Sequence, residues 1–355
     1  MTLRADERKF CVDLGVYFIA EMSGNHGHDF DRAVRMVHAA KDAGANALKL
    51  QTYTADTITL DCSREHFLIK EGPWAGRKLH DLYEEAHTPW DWQPRLKKLG
   101  DELGIEVFSS PFDPTSVDFL ENEVGVNLYK IASFEVVDIP LLRKVAATRK
   151  PVIMSTGMAS LAEIDLAVRT LRKGGCPDIA LLKCVSSYPA TPEQMNLATI
   201  PHLAEAFGCV AGLSDHTLSP AVAVAAVALG ARIVEKHFTL SRADGGPDAS
   251  FSLEPHELMS TIAMIRDAEA AIGKVSYGAG VGEEGSMVFR KSLFAVKDVK
   301  RGEQFTDENV RVIRPGDGLA PATLDLVLGR KAASNIDRGS PLTWEMVGQT
   351  VNEDV

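Results

Sequence analysis

Two histidines stand where a cation site would need them. His216 stands in the stretch Gly212-Leu213-Ser214-Asp215-His216-Thr217, and His237 in Glu235-Lys236-His237-Phe238, each a few residues past a short apolar run. Imidazole nitrogen is a common donor to borderline divalent metals. Other polar residues follow apolar runs in the same way: Glu21 with Asn25 and His26, Ser109 and Ser110, Ser133 and Glu135, Ser155, and Ser186 with Tyr188. Lys49 and Lys130 lie inside such runs, so an inward-pointing ammonium there would be a buried cation, costly unless an anion satisfies it. Ammonium groups beside serine hydroxyls suit a phosphate or a carboxylate. Taken together, these residues describe a divalent cation next to a phosphorylated or carboxylated substrate. A lone histidine more often serves as a structural hydrogen-bonder, and His38, His80, His87, His202 and His256 fall in that class; the serines could individually be turn residues. No convincing Cys-His or Ser-His pair points to a covalent nucleophile, and no glycine fingerprint of dinucleotide or P-loop type follows a strand.

The elements that must position these groups are short β-branched or aliphatic runs: Val16 to Ala20, Ala47 to Leu50, Ile105 to Phe108, Leu128 to Ile131, Pro151 to Met154, Ile179 to Leu182, Cys209 to Gly212 and Arg232 to Glu235. Segments of helical period separate them; Phe30, Ala33, Val34 and Val37 mark one apolar face, and Leu258, Ile262 and Ile265 another. Eight strand-helix repeats predict an α/β chain folded as a closed (β/α)8 TIM barrel, whose site collects at the carboxyl ends of the strands. Closure sets the first strand beside the eighth, so Glu21, Asn25 and His26 are expected near His237. The second strand-to-helix connection, Thr52 to about Asp91, is long enough to be a substrate-facing loop and contains the stretch Arg64 to Trp74.

A glycine-dense stretch from Tyr277 to Gly285 reads as a linker. The expected organisation is a catalytic barrel over residues 1–272, a linker over 273–289 and a small module over 290–355, too small to be comfortably stable alone. With 38 basic against 49 acidic residues the net charge is -11, which argues against a nucleic-acid partner. The charged amino terminus lacks a signal-peptide pattern and no apolar run is long enough for a membrane span, so a cytoplasmic protein is expected. Five scattered cysteines (Cys11, Cys62, Cys176, Cys184, Cys209) without a Cys-x-x-Cys pair read as reduced, mostly buried thiols.

The succession Ile19-Ala20-Glu21 with Asn25-His26, Leu48-Lys49-Leu50-Gln51-Thr52, Tyr129-Lys130-Ile131-Ala132-Ser133, Ser155-Thr156-Gly157-Met158, and the two histidine stretches resembles the phosphoenolpyruvate-dependent sialic acid synthases. The tail segment Arg311 to Gly318 is similar to their antifreeze-like (SAF) domain, and the stretch Phe67 to Trp74 with Lys78-Leu79, Leu82-Tyr83 and Thr88-Pro89 resembles the pseudaminic acid synthase branch. Ser186 and Lys183 point the same way, neuraminate synthases typically having Asn and His there. The resemblance implies the following. His216 and His237 hold one divalent metal, manganese first, with magnesium or cobalt as alternatives. Glu21 is catalytic beside them. Lys49, Lys130, Ser133, Ser155, Ser186 and Ser214 surround phosphoenolpyruvate, while Gln51, Glu135, Tyr188, Asp248 and Arg314 bind an amino sugar. Arg314 reaches the barrel of a partner in a homodimer with exchanged C-terminal modules. Carbon three of the enol would add to the sugar aldehyde, water would enter at carbon two, and phosphate would leave by C–O cleavage.

The sugar implied is 2,4-diacetamido-2,4,6-trideoxy-altrose. An N-acetylneuraminate or legionaminate synthase is the alternative within this chemistry. An aldolase using free pyruvate and a non-catalytic carbohydrate-binding protein are the alternatives outside it.

Overall fold

In the computed structural model, which describes residues 15–72 and 74–348, all eight apolar runs are strands: β1 (Tyr17–Glu21), β2 (Ala47–Thr52), β3 (Glu106–Pro111), β4 (Tyr129–Ile131), β5 (Val152–Ser155), β6 (Ile179–Cys184), β7 (Val210–Asp215) and β8 (Ile233–His237). They pair in parallel in sequence order, and β1 closes on β8 with Ile19 opposite Glu235 and Glu21 opposite His237. Seven of the eight run on past the last expected residue. The physical reason is that closure keeps the ladder paired up to the rim, so polar residues such as Thr52, opposite Pro111, still find backbone partners. Cys11, Pro73 and the charged amino-terminal segment lie outside the described residues.

Side chains alternate across each strand, which splits the core into two layers. Ile19, Ala47, Phe108, Leu128, Ile153, Ala180, Leu182 and Ile233 pack together inside the barrel. The outward residues, such as Leu48, Val107, Met154 and Val234, pack against the surrounding helices. The helix Phe30–Asp42 shows how the sequence builds that shell. Asp29 caps it by accepting from the Arg32 amide, and Ala33, Met36, Val37 and Ala40 are buried at helical spacing. The helix Pro255–Ile272 closes the ring and buries Leu258, Ile262 and Ile265, the face expected from the sequence.

The long β2 connection is folded rather than free. It contains the helices Ala55–Ile58 and Leu79–Ala86, a 3-10 turn at Glu65–Phe67 and an antiparallel bridge between Leu68 and Lys78. Thr54 and Thr57 form a reciprocal cap on the first of these helices.

The chain divides into two compact units, Met1–Gly273 and Lys274–Val355. In the second, β9 (Ser292–Ala295) pairs antiparallel with β10 (Val310–Ile313), over a core that includes Leu293, Phe305, Val310, Ile336 and Leu342. The stretch read as linker holds a 3-10 turn at Glu284–Phe289, and Tyr277 and Val281 in it are exposed. Of the described cysteines all four are free; Cys176 and Cys184 are buried, Cys62 and Cys209 half-buried. No described helix is long and apolar enough to cross a membrane.

Candidate active site at the carboxyl end of the barrel

Above the apolar interior the same alternation delivers a polar layer. Glu21 of β1, Lys49 of β2, Lys130 of β4 and Glu235 of β8 are all at most 4% exposed. The Lys49 ammonium lies 2.8 Å from Glu21 and 3.6 Å from Glu235, and the Lys130 ammonium lies 3.2 Å from Glu235. Lys130 also donates to Ser155 at 2.8 Å, Lys49 to Ser110 at 3.4 Å, and Ser214 to Glu235 at 3.2 Å. Burial pushes the Glu21 carboxyl up, and Lys49 offsets only part of that. For Glu235 burial acts the same way, but Lys130 and Lys49 outweigh it and hold the carboxyl below its usual range.

The lysines were therefore read correctly as buried cations, but the groups that satisfy them here belong to the chain itself. Glu235 was not among the expected site residues. Its signal was alternation: Glu235 shares the inner face of β8 with His237, while Lys236 between them points outward.

His216 and His237 come together with ring centroids 5.2 Å apart. His216 donates Nδ1–H to the Val185 carbonyl at 2.7 Å, which leaves Nε2 as its lone-pair nitrogen. The buried Cys184 thiol lies beside His216, a neighbour the sequence reading missed. Nδ1 of His237 is buried without a hydrogen-bond partner, 3.8 Å from the Asp248 carboxylate. Burial, then the neighbouring His216 and lysines, hold His237 well below its usual basicity, so the neutral ring keeps one nitrogen lone pair available. Two imidazoles held about 2 Å from one cation put their centroids about 5 Å apart. The pair thus fits a shared metal ion. Among the described residues the one tight group of three metal-binding side chains is elsewhere, Asp61, His80 and Asp81 in the β2 connection. There the Lys78 ammonium already sits 3.0 Å from Asp61 and 3.1 Å from Asp81.

Around this centre the sugar-side candidates fall on two walls. The polar one has Gln51 donating to Glu21 at 2.7 Å and to Ser23 at 3.1 Å, with Ser23 donating to Asp248. The aromatic one has Tyr188 with its centroid 4.4 Å from that of His216, and Phe251 at 5.0 Å from His237. Ser133 and Ser186 share a hydrogen bond of 2.8 Å. They can do so because Gly157 lies between: a Cβ there would stand 2.4 Å from Ser133 Cβ and 2.8 Å from Ser186 Oγ. Glu135 keeps one buried carboxylate oxygen unbonded, and burial raises it to about 7.

The remaining candidates are placed differently. Asn25 does reach β8, donating to the Phe238 carbonyl and to Ser252, both at 2.9 Å, whereas His26 turns to Thr88 at 3.1 Å and packs on Trp92. His80 bonds to Asp56 and His87 to the Glu84 carbonyl. Arg314 lies in the second unit, just past β10.

The comparisons with known proteins agree with this geometry. Residues 36–277 match the NeuB family and residues 290–348 the SAF domain. A pseudaminic acid synthase of Campylobacter jejuni is 42% identical over 333 residues, covering 94% of this chain and 97% of that protein. One of Helicobacter pylori is 38% identical over 94% of this chain and 98% of its own length. Legionella pneumophila has an N,N'-diacetyllegionaminic acid synthase 34% identical over 93% of this chain and 94% of that one. Among solved structures, an N-acetylneuraminic acid synthetase of Leptospira borgpetersenii superposes with a TM-score of 0.68 at 33% identity, covering 77% of this chain and 90% of that one. With the family matched across most of the barrel and relatives aligned nearly end to end, this chain belongs to the NeuB family of sialic-acid-synthase-like enzymes, a TIM barrel followed by a SAF domain.

Proposed function

We propose that this enzyme condenses phosphoenolpyruvate with 2,4-diacetamido-2,4,6-trideoxy-β-L-altropyranose, in its open-chain form, to give pseudaminic acid and phosphate. The observation that carries the reading is the juxtaposition in one barrel mouth of two buried lysines with serine hydroxyls and two facing histidines. Similarity to the two pseudaminic acid synthases supports the choice of sugar.

Lys49 and Lys130, with Ser133, Ser155, Ser186 and Ser214, bind the phosphate and carboxylate of phosphoenolpyruvate. Gln51, Glu135, Tyr188, Asp248 and Arg314 bind the sugar. His216 and His237 hold a divalent cation, manganese before magnesium or cobalt, which when bound supplies Lewis-acid polarisation of the aldehyde. Glu21, with its raised basicity and its bond to Gln51, orients reactants and carries a proton at its carboxylate. A bond forms between carbon three of the enol and the aldehyde carbon, the aldehyde oxygen takes a proton, and water adds at carbon two. The tetrahedral centre then collapses and the C–O bond to phosphate breaks, leaving a nine-carbon 2-keto acid.

The assembly belongs to the same reading. We take residues 1–272 as the catalytic domain, 273–289 as linker and 290–355 as the SAF module, exchanged within a homodimer so that Arg314 serves a neighbour's barrel. Exposed Phe134, Val137, Met158 and Leu161, on the connections after β4 and β5, give such a neighbour an apolar rim to cover. We take the enzyme to act in the cytoplasm, where phosphoenolpyruvate is produced.

Phosphate release from phosphoenolpyruvate across a panel of amino sugars tests the assignment. Release with the trideoxy sugar and little with N-acetylmannosamine is the expected result. The reverse order makes the enzyme a neuraminate synthase, and release with neither overturns the condensation.

A further inference from the structure

The aromatic wall over the histidines has two rows. Tyr188 and Phe251 form the first, with centroids 4.4 Å from His216 and 5.0 Å from His237. Trp74, brought in by the long β2 connection, forms the second. It packs on Tyr188 at 5.7 Å and on Phe251 at 6.5 Å and makes no ring contact with either histidine. The indole donates Nε1–H to the Pro247 carbonyl at 3.0 Å. That bond fixes the ring and uses up its one polar group, so the face it turns to a ligand is purely apolar. Beside the histidines Glu21, Gln51, Ser23 and Asp248 are bonded to one another, with Asp248 3.8 Å from His237. The polar groups therefore gather at the histidines, whereas the indole stands one ring further out, behind Tyr188 and Phe251.

An open-chain sugar that reacts at carbon one over the histidines carries carbon six as its most distant atom. We infer that Trp74 is a specificity-determining residue that selects amino sugars ending in a methyl group over those ending in hydroxymethyl. The inference deepens the synthase reading and rests on it. A methyl against the indole face loses no hydrogen bond to water, whereas a hydroxyl placed there is stripped of water with no partner in return. An apolar wall of this kind discriminates against an added hydroxyl by about 10- to 100-fold.

The test compares two 2,4-diacetamido sugars that differ only in carrying CH3 or CH2OH at carbon six, with phosphate release as the assay. The unsubstituted enzyme should prefer the methyl sugar by about 10- to 100-fold in kcat/KM. Trp74→Asn should bring the ratio to within about threefold of unity, through KM for the methyl sugar and with KM for phosphoenolpyruvate unchanged; Trp74→Phe should restore most of the preference. Trp74→Tyr, which keeps a packed ring but adds a hydroxyl, gives a second measure and should favour the hydroxymethyl sugar relative to Trp74→Phe. An unchanged ratio in both Trp74→Asn and Trp74→Tyr overturns the role of Trp74 and leaves the synthase reading standing. No turnover of either sugar by the unsubstituted enzyme overturns both.

Discussion

The Asp215 carboxylate and the Lys236 ammonium meet 2.7 Å apart on the outer face of β7 and β8, the strands whose carboxyl ends present His216 and His237. Asp215 lies directly opposite Lys236 in the β7–β8 ladder, and both are at most 1% exposed. Lys236 also donates to the Thr217 carbonyl, and the Thr217 amide donates to Asp215 at 2.8 Å. The backbone on either side of His216 is thus tied to the residue that precedes His237. Removing one partner strands a buried charge, so Asp215→Ala should destabilise the enzyme by about 3 to 5 kcal/mol, read from urea unfolding. The double change Asp215→Asn with Lys236→Met should cost far less.

Gly157 has a φ of 48°, and an added Cβ would press on both Ser133 and Ser186. Gly157→Ala should raise KM for phosphoenolpyruvate by at least about tenfold, since parting the two hydroxyls costs one or more charge-assisted bonds to the ligand. Steady-state kinetics at saturating sugar check this; an unchanged KM would remove the serine pair from the anion site.

Glu135 supplies a pH dependence with a definite sign. Burial raises its carboxyl from an ordinary value of 4.5 to about 7, so across that window the folded state binds more protons than the unfolded one. Stability contributed by this group therefore falls as pH rises from 4.5 to 7 and is flat above. Glu135→Gln should lose that part of the slope, seen by comparing urea midpoints of the two proteins at pH 5 and pH 7.5. Parallel midpoints would show that the carboxyl titrates normally.

Removing the cation should abolish turnover reversibly. Two histidine donors leave most coordination positions to water and substrate, so chelation is expected to strip the ion and added manganese to restore activity. His216→Ala should stay inactive at any manganese concentration while unfolding at nearly the unsubstituted midpoint. Full activity after exhaustive chelation would sink the metal role.

If Arg314 completes a neighbour's site, Arg314→Ala and Lys130→Ala chains should each be nearly inactive alone and should complement when mixed under subunit exchange. Half of the dimers are then mixed and each has one intact site in two, so recovery should approach about a quarter of the unsubstituted rate. Demonstrated exchange without recovery would mean that Arg314 acts on its own barrel or not at all.

The barrel was legible because each strand kept a short, mostly apolar run, and closure then fixed neighbours such as Glu21 and His237 without any further information. Strand ends were harder to read, since Asp215 and Lys236 look like loop residues until the ladder that pairs them is seen. The polar layer was half visible: Lys49 and Lys130 announce themselves by type, whereas Glu235 needs the period-two face that it shares with His237. Phe251 gave no such signal, and Trp74 was legible only as the end of the Arg64 to Trp74 stretch in an expected substrate-facing loop. They lie far from the histidines in sequence or within an irregular loop, and only the folding of the β2 connection and the Pro247 carbonyl bring the indole to the mouth. The fold of that connection was equally hidden, because caps such as the Thr54–Thr57 pair build helices too short to show a period.

The neutralisation of Lys49 and Lys130 by Glu21 and Glu235 also bears on how the substrate arrives. The floor of the barrel presents two cations already matched by two carboxylates, inside a chain of net charge -11. These four charges cancel to first order, so by themselves they exert little pull on a trianion from beyond about 10 Å, the distance over which salt screens a field. Capture of phosphoenolpyruvate then rests on short-range fit and on the charge that a bound cation adds, and its association rate should depend on ionic strength less steeply than in an enzyme with an open cationic mouth.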